Sequence, residues 1–213
     1  MQTIYACFIG YIVQAIVNNF VPLLFVTFQN NYHISLERIT FLITLNFIIQ
    51  LFVDLLSAFF IDRIGYRISI LIAHILSAAG LILLTVLPEV FPSPYTGLVI
   101  AVIIYAIGGG LLEVLVSPII EACPTDNKEK AMSLLHSFYC WGAVGTILIS
   151  SLFFLIFGID NWKWLAVIWA IIPAINTYNF MTCPIESLVD NGSGMEIKLS
   201  LIHISEPTRL ALI

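Results

Sequence analysis

Long apolar runs, separated by short polar breaks, form the main pattern along this chain of 213 residues. A helix needs about 20 predominantly apolar residues to cross the hydrocarbon core of a bilayer, and six runs are long enough. The breaks between them are rich in Pro, Gly and charged residues, which end helices or mark turns. The pattern predicts membrane-spanning helices at Ile4–Phe28, Ile39–Ile61, Ile68–Leu87, Tyr95–Cys123, Met132–Gly158 and Trp162–Cys183.

The composition agrees with a membrane environment. Hydrophobic residues make up 60% of the chain and charged residues only 10%, whereas a soluble domain has about 45–50% and about 25% respectively. In lipid, backbone polar groups must be satisfied inside helices or a closed barrel. Barrel strands alternate in segments of about ten residues, and these runs do not alternate. The predicted fold is therefore an all-α membrane protein.

The distribution of Lys and Arg predicts the orientation, because loops on the cytoplasmic side carry more of them. The second-to-third and fourth-to-fifth connections hold Arg63, Arg67, Lys128 and Lys130, whereas the opposite side holds Arg38 and Lys163. We therefore predict a multi-pass protein of the cell membrane with both of these loops and the N-terminus in the cytoplasm.

No pattern in the sequence indicates a cofactor, a metal or a nucleic acid. The cysteines are scattered at no metal or redox spacing, which is typical of small hydrophobic residues; they are Cys7, Cys123, Cys140 and Cys183. No phosphate loop, zinc spacing or nucleophile elbow occurs, so we predict that the protein is not an enzyme.

The loop between the second and third predicted helices carries a distinctive charge pattern. Asp62 ends one helix, Arg63 and Arg67 follow it, and Gly65 allows the tight turn between antiparallel helices. This stretch resembles the signature loop of the major facilitator superfamily, G-x-x-x-D-[RK]-x-G-x-[RK]. The leading glycine is replaced by Ala58, which is also small and allows close helix approach.

This resemblance implies half of a twelve-helix transporter. Residues 1–184 would form the N-terminal six-helix bundle, built as two inverted three-helix repeats. Residues 185–198 would begin a cytoplasmic linker to a second half. The implied partners are the lipid bilayer, a small-molecule substrate, protons and the missing C-terminal half of the same protein.

Two short stretches resemble the fucose-permease group of sugar–proton symporters. The first runs from Gly108 to Glu113 and continues to Ser117-Pro118, where the group carries Asn-Pro. The second is Leu135–Phe138 with Gly142. The resemblance implies proton-coupled uptake of a small polar solute, with a sugar as the expected substrate. Efflux of drugs or metabolites remains the alternative, although the fifth helix lacks the Gly-Pro-rich signature of drug–proton antiporters.

Glu113 is the main candidate for proton coupling. An ionisable residue inside a span is costly and usually faces a cavity or a partner. Tyr105, Gly109 and Glu113 recur at i, i+4 and i+8, which predicts a shared face of the fourth helix. The alternative for Glu113 is a structural hydrogen bond.

Three further sets of polar residues share helix faces. Tyr11, Gln14 and Asn18 lie on one face of the first helix, which Pro22 is expected to kink. Their phenol and amide groups suit hydroxyl-rich ligands, but such groups also join helices to one another. His136 and Tyr139 share a face of the fifth helix and are further substrate candidates, with ordinary packing as the alternative for His136.

Asp54 follows Asn46 and Gln50 at four-residue steps on the second helix. It could pair with Arg63 or Arg67 as a gate, and a structural role is the favoured alternative. A membrane enzyme with Glu113 and His136 as acid and base is a further hypothesis, but the sequence offers no second catalytic constellation.

The end of the chain departs from this pattern. Residues 199–209 resemble the translation of a sequencing-library adapter. We therefore expect residues 199–213 to be an artefactual tail, and the true gene to continue beyond about residue 198.

Overall fold

The computed structural model describes residues 2–125 and 127–185, except the side chains of residues 58 and 62. Nearly all of this part is helical, as the sequence predicts. The helices are α1 (Gln2–Asn19), α2 (Phe25–Tyr32), α3 (Leu36–Ile64), α4 (Tyr66–Val90), α5 (Pro94–Ala122), α6 (Lys128–Phe157) and α7 (Trp162–Thr182). Within the described residues, six segments are long and apolar enough to cross a membrane, and α1 with α2 forms the first. The prediction of six membrane-spanning helices is confirmed.

The first segment is broken at Pro22. A short 3-10 helix, Val21–Leu24, separates α1 from α2, because proline has no backbone N–H and its ring crowds the preceding turn. The predicted kink is confirmed. The segment then continues to Tyr32, where His33 ends it with a left-handed backbone at φ 52°.

The helices pack in a pattern with internal two-fold character. α1 packs against α6, α5 packs against α3, and α1 and α5 also contact each other. α4 and α7 pack together beside this central pair. This arrangement is the one expected of two inverted three-helix repeats.

α5 approaches its neighbours closely through three consecutive glycines. A Cβ built on Gly108 would lie 2.5 Å from Ser77 Oγ and 2.7 Å from the carbonyl oxygen of Ala73, both on α4. Gly109 instead faces Val17 of α1 and Gln50 of α3, and Gly110 faces Val53 and Gln50 of α3. Small residues let helix backbones approach in a membrane, so this short stretch seats α5 against α1, α3 and α4.

The loop between α3 and α4 is held against the end of α7. Gly65 adopts φ 90°, a value that favours glycine. The Arg67 guanidinium donates to the carbonyl oxygens of Phe180, Met181 and Cys183 at 3.0, 3.2 and 2.9 Å. A cation at a helix C-terminus satisfies free carbonyls and the helix dipole, so Arg67 fastens α4 to α7. We call this end of the bundle, which carries Gly65, the motif face.

At the opposite end a second contact joins the same two helices. Lys163 Nζ of α7 lies 2.6 Å from Glu89 Oε1 of α4, and the Tyr32 hydroxyl also donates to Glu89. α4 and α7 are therefore linked at both ends, while α3 and α6 expose the largest shares of apolar surface.

Candidate functional site

A cavity of about 420 Å³ lies between α1, α3, α5 and α6. Polar side chains from all four helices meet there, next to a few apolar ones. The lining residues are Tyr11, Gln14, Asn18, Phe47, Gln50, Leu51, Asp54, Glu113, His136 and Tyr139. Most of the predicted site residues are therefore brought together, from four separate parts of the chain.

Two hydrogen bonds connect α1 to α5 along the cavity. Gln14 Nε2 donates to Glu113 Oε2 at 2.9 Å. The hydroxyls of Tyr11 and Ser117 lie 2.9 Å apart. Glu113 and Ser117 lie four residues apart on α5, and their partners Gln14 and Tyr11 lie three residues apart on α1. Both spacings are about one helical turn, so both hydrogen bonds can form. The carboxyl that the sequence singles out is thus held by an uncharged amide.

Asn18 is the centre of an amide cluster that joins α1, α3 and α6. Its Oδ1 accepts from Asn46 Nδ2 at 3.1 Å and from Gln50 Nε2 at 2.7 Å. Gln50 Nε2 also donates to Asn46 Oδ1 at 3.0 Å. The Asn18 Nδ2 group donates to the Tyr139 hydroxyl at 3.3 Å. The cluster fixes these side chains, and it leaves the proton of the Tyr139 hydroxyl free to donate to a ligand.

Aromatic rings from α1, α3 and α6 line the cavity. The ring of Tyr11 lies 5.7 Å from that of His136 and 6.2 Å from that of Tyr139, between centroids. Phe47 adds a further ring from α3. A pocket with apolar walls and a few convergent polar groups is typical of small-molecule sites.

Two of the predicted cavity residues lie elsewhere. Tyr105 is buried in the core with 1% of its surface exposed, and its backbone packs against Gly80 of α4. Eight residues of helix turn through about 80° beyond two full rotations, so Tyr105 has left the face that Glu113 occupies. Gly109 is placed behind the cavity wall, where a Cβ would lie 3.2 Å from Gln50 Nε2.

The predicted pairing of Asp54 with an arginine is not present. Asp54 faces the cavity instead, and Arg67 is engaged with the α7 carbonyls. Among the described side chains, the one ion pair is Lys163 with Glu89. Arg63 is exposed. The side chain of Asp62, the other signature-loop residue, lies outside the described part of the structure.

The family assignment follows from the match of the whole bundle. The family model described as Major Facilitator Superfamily matches residues 7–203. The chain belongs to the Major Facilitator Superfamily. Its family is thus one of transporters rather than enzymes. The matched range includes residues 199–203 of the segment that we expect to be artefactual, so that expectation stays a prediction.

Solved structures of the superfamily share the fold. The chain matches the proton:xylose symporter XylE bound to 6-bromo-6-deoxy-D-glucose with 17% identity and a TM-score of 0.74, covering 86% of this chain and 44% of that one. The inward-open xylose transporter XylE from E. coli matches with 17% identity and a TM-score of 0.71, covering 86% and 48%. A D-xylose-proton symporter matches with 20% identity and a TM-score of 0.67, covering 86% and 47%. No curated protein matches the sequence. The chain spans about half the length of these superfamily structures.

One buried group of this superfamily member is not singled out by the sequence. His74 on α4 is fully buried, with Nδ1 2.8 Å from the Ile70 carbonyl oxygen and Nε2 2.8 Å from Asn176 Nδ2 on α7. Asn176 also donates to the Ala6 carbonyl oxygen of α1 at 2.9 Å. The network joins α1, α4 and α7 away from the cavity. Nothing in the sequence pairs His74 with a residue on a helix three spans later.

The cavity has a marked charge character. Asp54 and Glu113 both line it. His136 is the one basic side chain among the described lining residues. The site therefore offers carboxyl and amide oxygens as acceptors, hydroxyl groups as donors, and no fixed cation in its described wall.

Proposed function

We propose that the complete protein takes up a small neutral polar solute, most simply a sugar, by proton-coupled alternating access. The observation that carries this proposal is the hydrogen bond between Gln14 and Glu113 inside a cavity shared by four helices. A carboxyl in such a place can bind a proton without a competing cation, and it can release the proton when water reaches it.

The lining groups support a sugar as the solute. Hydroxyl, amide and carboxyl groups both donate to and accept from sugar hydroxyls, and the rings of Tyr11, Tyr139 and Phe47 offer apolar surface beside them. The solved neighbours include symporters of protons and xylose. Because their sequence identity to this chain is low, these structures serve only as a reason to test sugars first.

The resemblance to the fucose-permease group also supports this proposal. The two stretches that carry it contribute Glu113, Ser117 and His136, and all three lie at the cavity or on its hydrogen bonds. Two stretches of sequence that resemble one group of symporters thus meet at one site.

In the proposed mechanism, Glu113 is neutral while the cavity is closed to water. Ionisation there would place a charge away from water with no Lys or Arg among the described lining residues to compensate it. Opening to one side hydrates the carboxyl and lets its proton leave. The first and fourth membrane-spanning helices, α1 and α5 by our numbering, carry the contacts of this half, and the second half of the transporter supplies the facing wall.

The orientation and location of the protein form part of the same proposal. The motif face would lie in the cytoplasm with both ends of the described chain, because four of the six loop Lys and Arg residues lie there. The membrane would be the cell membrane. Reaction of a cysteine placed at Asn127 with an impermeant reagent on intact cells would require the reverse orientation.

Uptake assays separate this proposal from efflux of drugs or metabolites. We expect cells that express the complete gene to accumulate at least one radiolabelled neutral sugar from a panel of pentoses and hexoses. Accumulation should fall when a protonophore collapses the proton gradient. Exclusion of fluorescent dyes without sugar uptake would instead establish the efflux alternative.

A further inference from the structure

One hydroxyl hydrogen in the cavity wall has no part in the mechanism above. Tyr139 of α6 is partly exposed and lines the cavity. Its oxygen accepts a hydrogen bond from Asn18 Nδ2 at 3.3 Å. A phenol also has one O–H donor, and among the residues that the structure describes none accepts this hydrogen. The Tyr139 hydrogen is therefore available to a molecule in the cavity.

The direction of the bond between Asn18 and Tyr139 is set by the amides behind it. Asn46 Nδ2 and Gln50 Nε2 of α3 both donate to Asn18 Oδ1, at 3.1 and 2.7 Å. These two donors occupy both lone pairs of the oxygen, so the NH₂ group of Asn18 faces Tyr139. An amide nitrogen donates and does not accept, and the Tyr139 oxygen is therefore the acceptor.

The contact between Asn18 and Tyr139 lies at the cavity wall. Both residues line the cavity, and both are partly exposed. The hydroxyl of Tyr11, on the same wall, is already paired with the Ser117 hydroxyl at 2.9 Å. Of the two tyrosine hydroxyls among the described lining residues, that of Tyr139 is the one with a hydrogen to spare.

We propose that Tyr139 is a solute-recognition residue that donates a hydrogen bond to a hydroxyl oxygen of the transported sugar, and that Asn18 is the positioning residue that directs this hydrogen into the cavity. Asn46 and Gln50, each only 3% exposed, hold Asn18 in the required orientation. This inference rests on the proposed uptake of a neutral sugar. It adds a donor of fixed direction to the site, and it requires no charge on Glu113.

The test uses the full-length protein and the neutral sugar that the uptake panel identifies. The half-saturation concentration of this sugar is compared with those of two analogue series, in which each hydroxyl in turn is replaced by hydrogen or by fluorine. Hydrogen removes both the donor and the acceptor at that carbon. Fluorine removes the donor and keeps a weak acceptor. A contact in which the protein donates is therefore less sensitive to fluorine than to hydrogen.

In the wild type we expect one carbon at which the deoxy analogue binds about fivefold to tenfold more weakly than the parent sugar. The fluorinated analogue at that carbon should lie between the two. Tyr139→Phe should bind the parent sugar more weakly by a similar factor, and it should no longer distinguish the parent from that deoxy analogue. Tyr178→Phe is the matched control, because Tyr178 is 68% exposed on α7 and does not line the cavity. It should keep the wild-type preferences.

Asn18→Asp tests the positioning residue. The new side chain keeps an oxygen for Asn46 and Gln50, but it presents a second oxygen where the NH₂ group was. That oxygen should accept the Tyr139 hydrogen and withdraw it from the sugar. The distinction between the parent and the deoxy analogue should then disappear although Tyr139 is intact. A distinction that persists in Asn18→Asp would show that Asn18 does not direct Tyr139.

Three further results would overturn the role of Tyr139. Equal losses for the deoxy and fluorinated analogues at every carbon in the wild type would show that no protein donor contacts a sugar hydroxyl, and this result needs no variant to fold. Wild-type analogue preferences in Tyr139→Phe would show that another group is the donor. If the wild type takes up no neutral sugar at all, the proposed function itself is wrong and this role is wrong with it.

Discussion

At the scale of single residues, the contact between Gln14 and Glu113 is the feature with the clearest functional consequence. The Glu113 carboxyl accepts from an uncharged amide at 2.9 Å, and no Lys or Arg is among the described residues that line its cavity. The Glu113 side chain is exposed in the described half, and in the proposed mechanism the facing half of the complete protein closes it off from water, where the neutral form is favoured. This is the behaviour required of a group that takes up and releases a proton as access alternates.

We therefore expect Glu113→Gln to separate binding from coupling in the full-length protein. The substitution preserves the shape and the contact with Gln14 but removes the titratable proton. Accumulation against a gradient should be lost, while counterflow exchange of solute should persist. Glu113→Asp should retain part of the accumulation. If Glu113→Gln accumulates solute as well as the wild type, the glutamate is structural and coupling resides at Asp54 or His136.

The sequence reaches part of this site and misses the rest for physical reasons. The spacing of Tyr11, Gln14 and Asn18 predicts one helix face, and the structure places all three at the cavity. Spacing within one helix cannot reveal partners on other helices, which is why the Asn18 cluster and the His74–Asn176 contact are not predicted. The placement of Tyr105 at the cavity is wrong for a different reason. Two four-residue steps exceed two turns of a helix with 3.6 residues per turn, so Tyr105 and Glu113 lie on different faces.

At the scale of elements, the three glycines of α5 explain how the central helix fits among its neighbours. Gly108 faces the α4 backbone, while Gly109 faces side chains of α1 and α3, Val17 and Gln50. The sequence indicates close approach at this stretch, since glycines allow it, but it does not say which neighbour each glycine meets. That depends on the rotation of α5 in the bundle.

A pair of substitutions tests this packing. Alanine favours a helix over glycine equally at both positions, so the difference between Gly108→Ala and Gly109→Ala isolates the close contacts. Gly108→Ala should cost about 1–3 kcal/mol of the free energy of unfolding, because backbone atoms 2.7 Å from the new Cβ must move apart. Gly109→Ala should cost clearly less, because its nearest contacts, 3.0 and 3.2 Å away, are side chains that can shift.

Thermal unfolding of the two variants in detergent measures this difference. Equal stability would mean that α4 and α5 are farther apart than the structure places them.

At the scale of the whole molecule, the six membrane-spanning segments of the described residues form a bundle of two three-helix repeats. The hydropathy pattern predicts all six spans, and the signature loop predicts the family, because long apolar runs and a short charged motif are both local signals. The path of the first span also follows from a local signal, Pro22. The contacts that join α4 to α7 at both ends cannot be predicted from local signals, because Arg67 and Lys163 contact residues that are distant in the sequence.

The bundle holds one side of the proposed transport route. The chain spans about half the length of the solved superfamily members that it matches, and its cavity is bounded by four helices of this half. Alternating access in the superfamily fold moves one half against the other around a central site. Transport therefore belongs to the complete protein, and the 213-residue chain on its own should bind solute weakly and transport none.

The most direct test of the central claim is solute flux into proteoliposomes that contain the purified full-length protein, measured with and without an imposed proton gradient. We expect an inward proton gradient to drive accumulation of a neutral sugar above its external concentration, and a protonophore to reduce uptake to equilibration. Liposomes with the 213-residue chain alone should show no flux. Sugar flux that equilibrates at the same rate and level whatever the proton gradient would contradict the account.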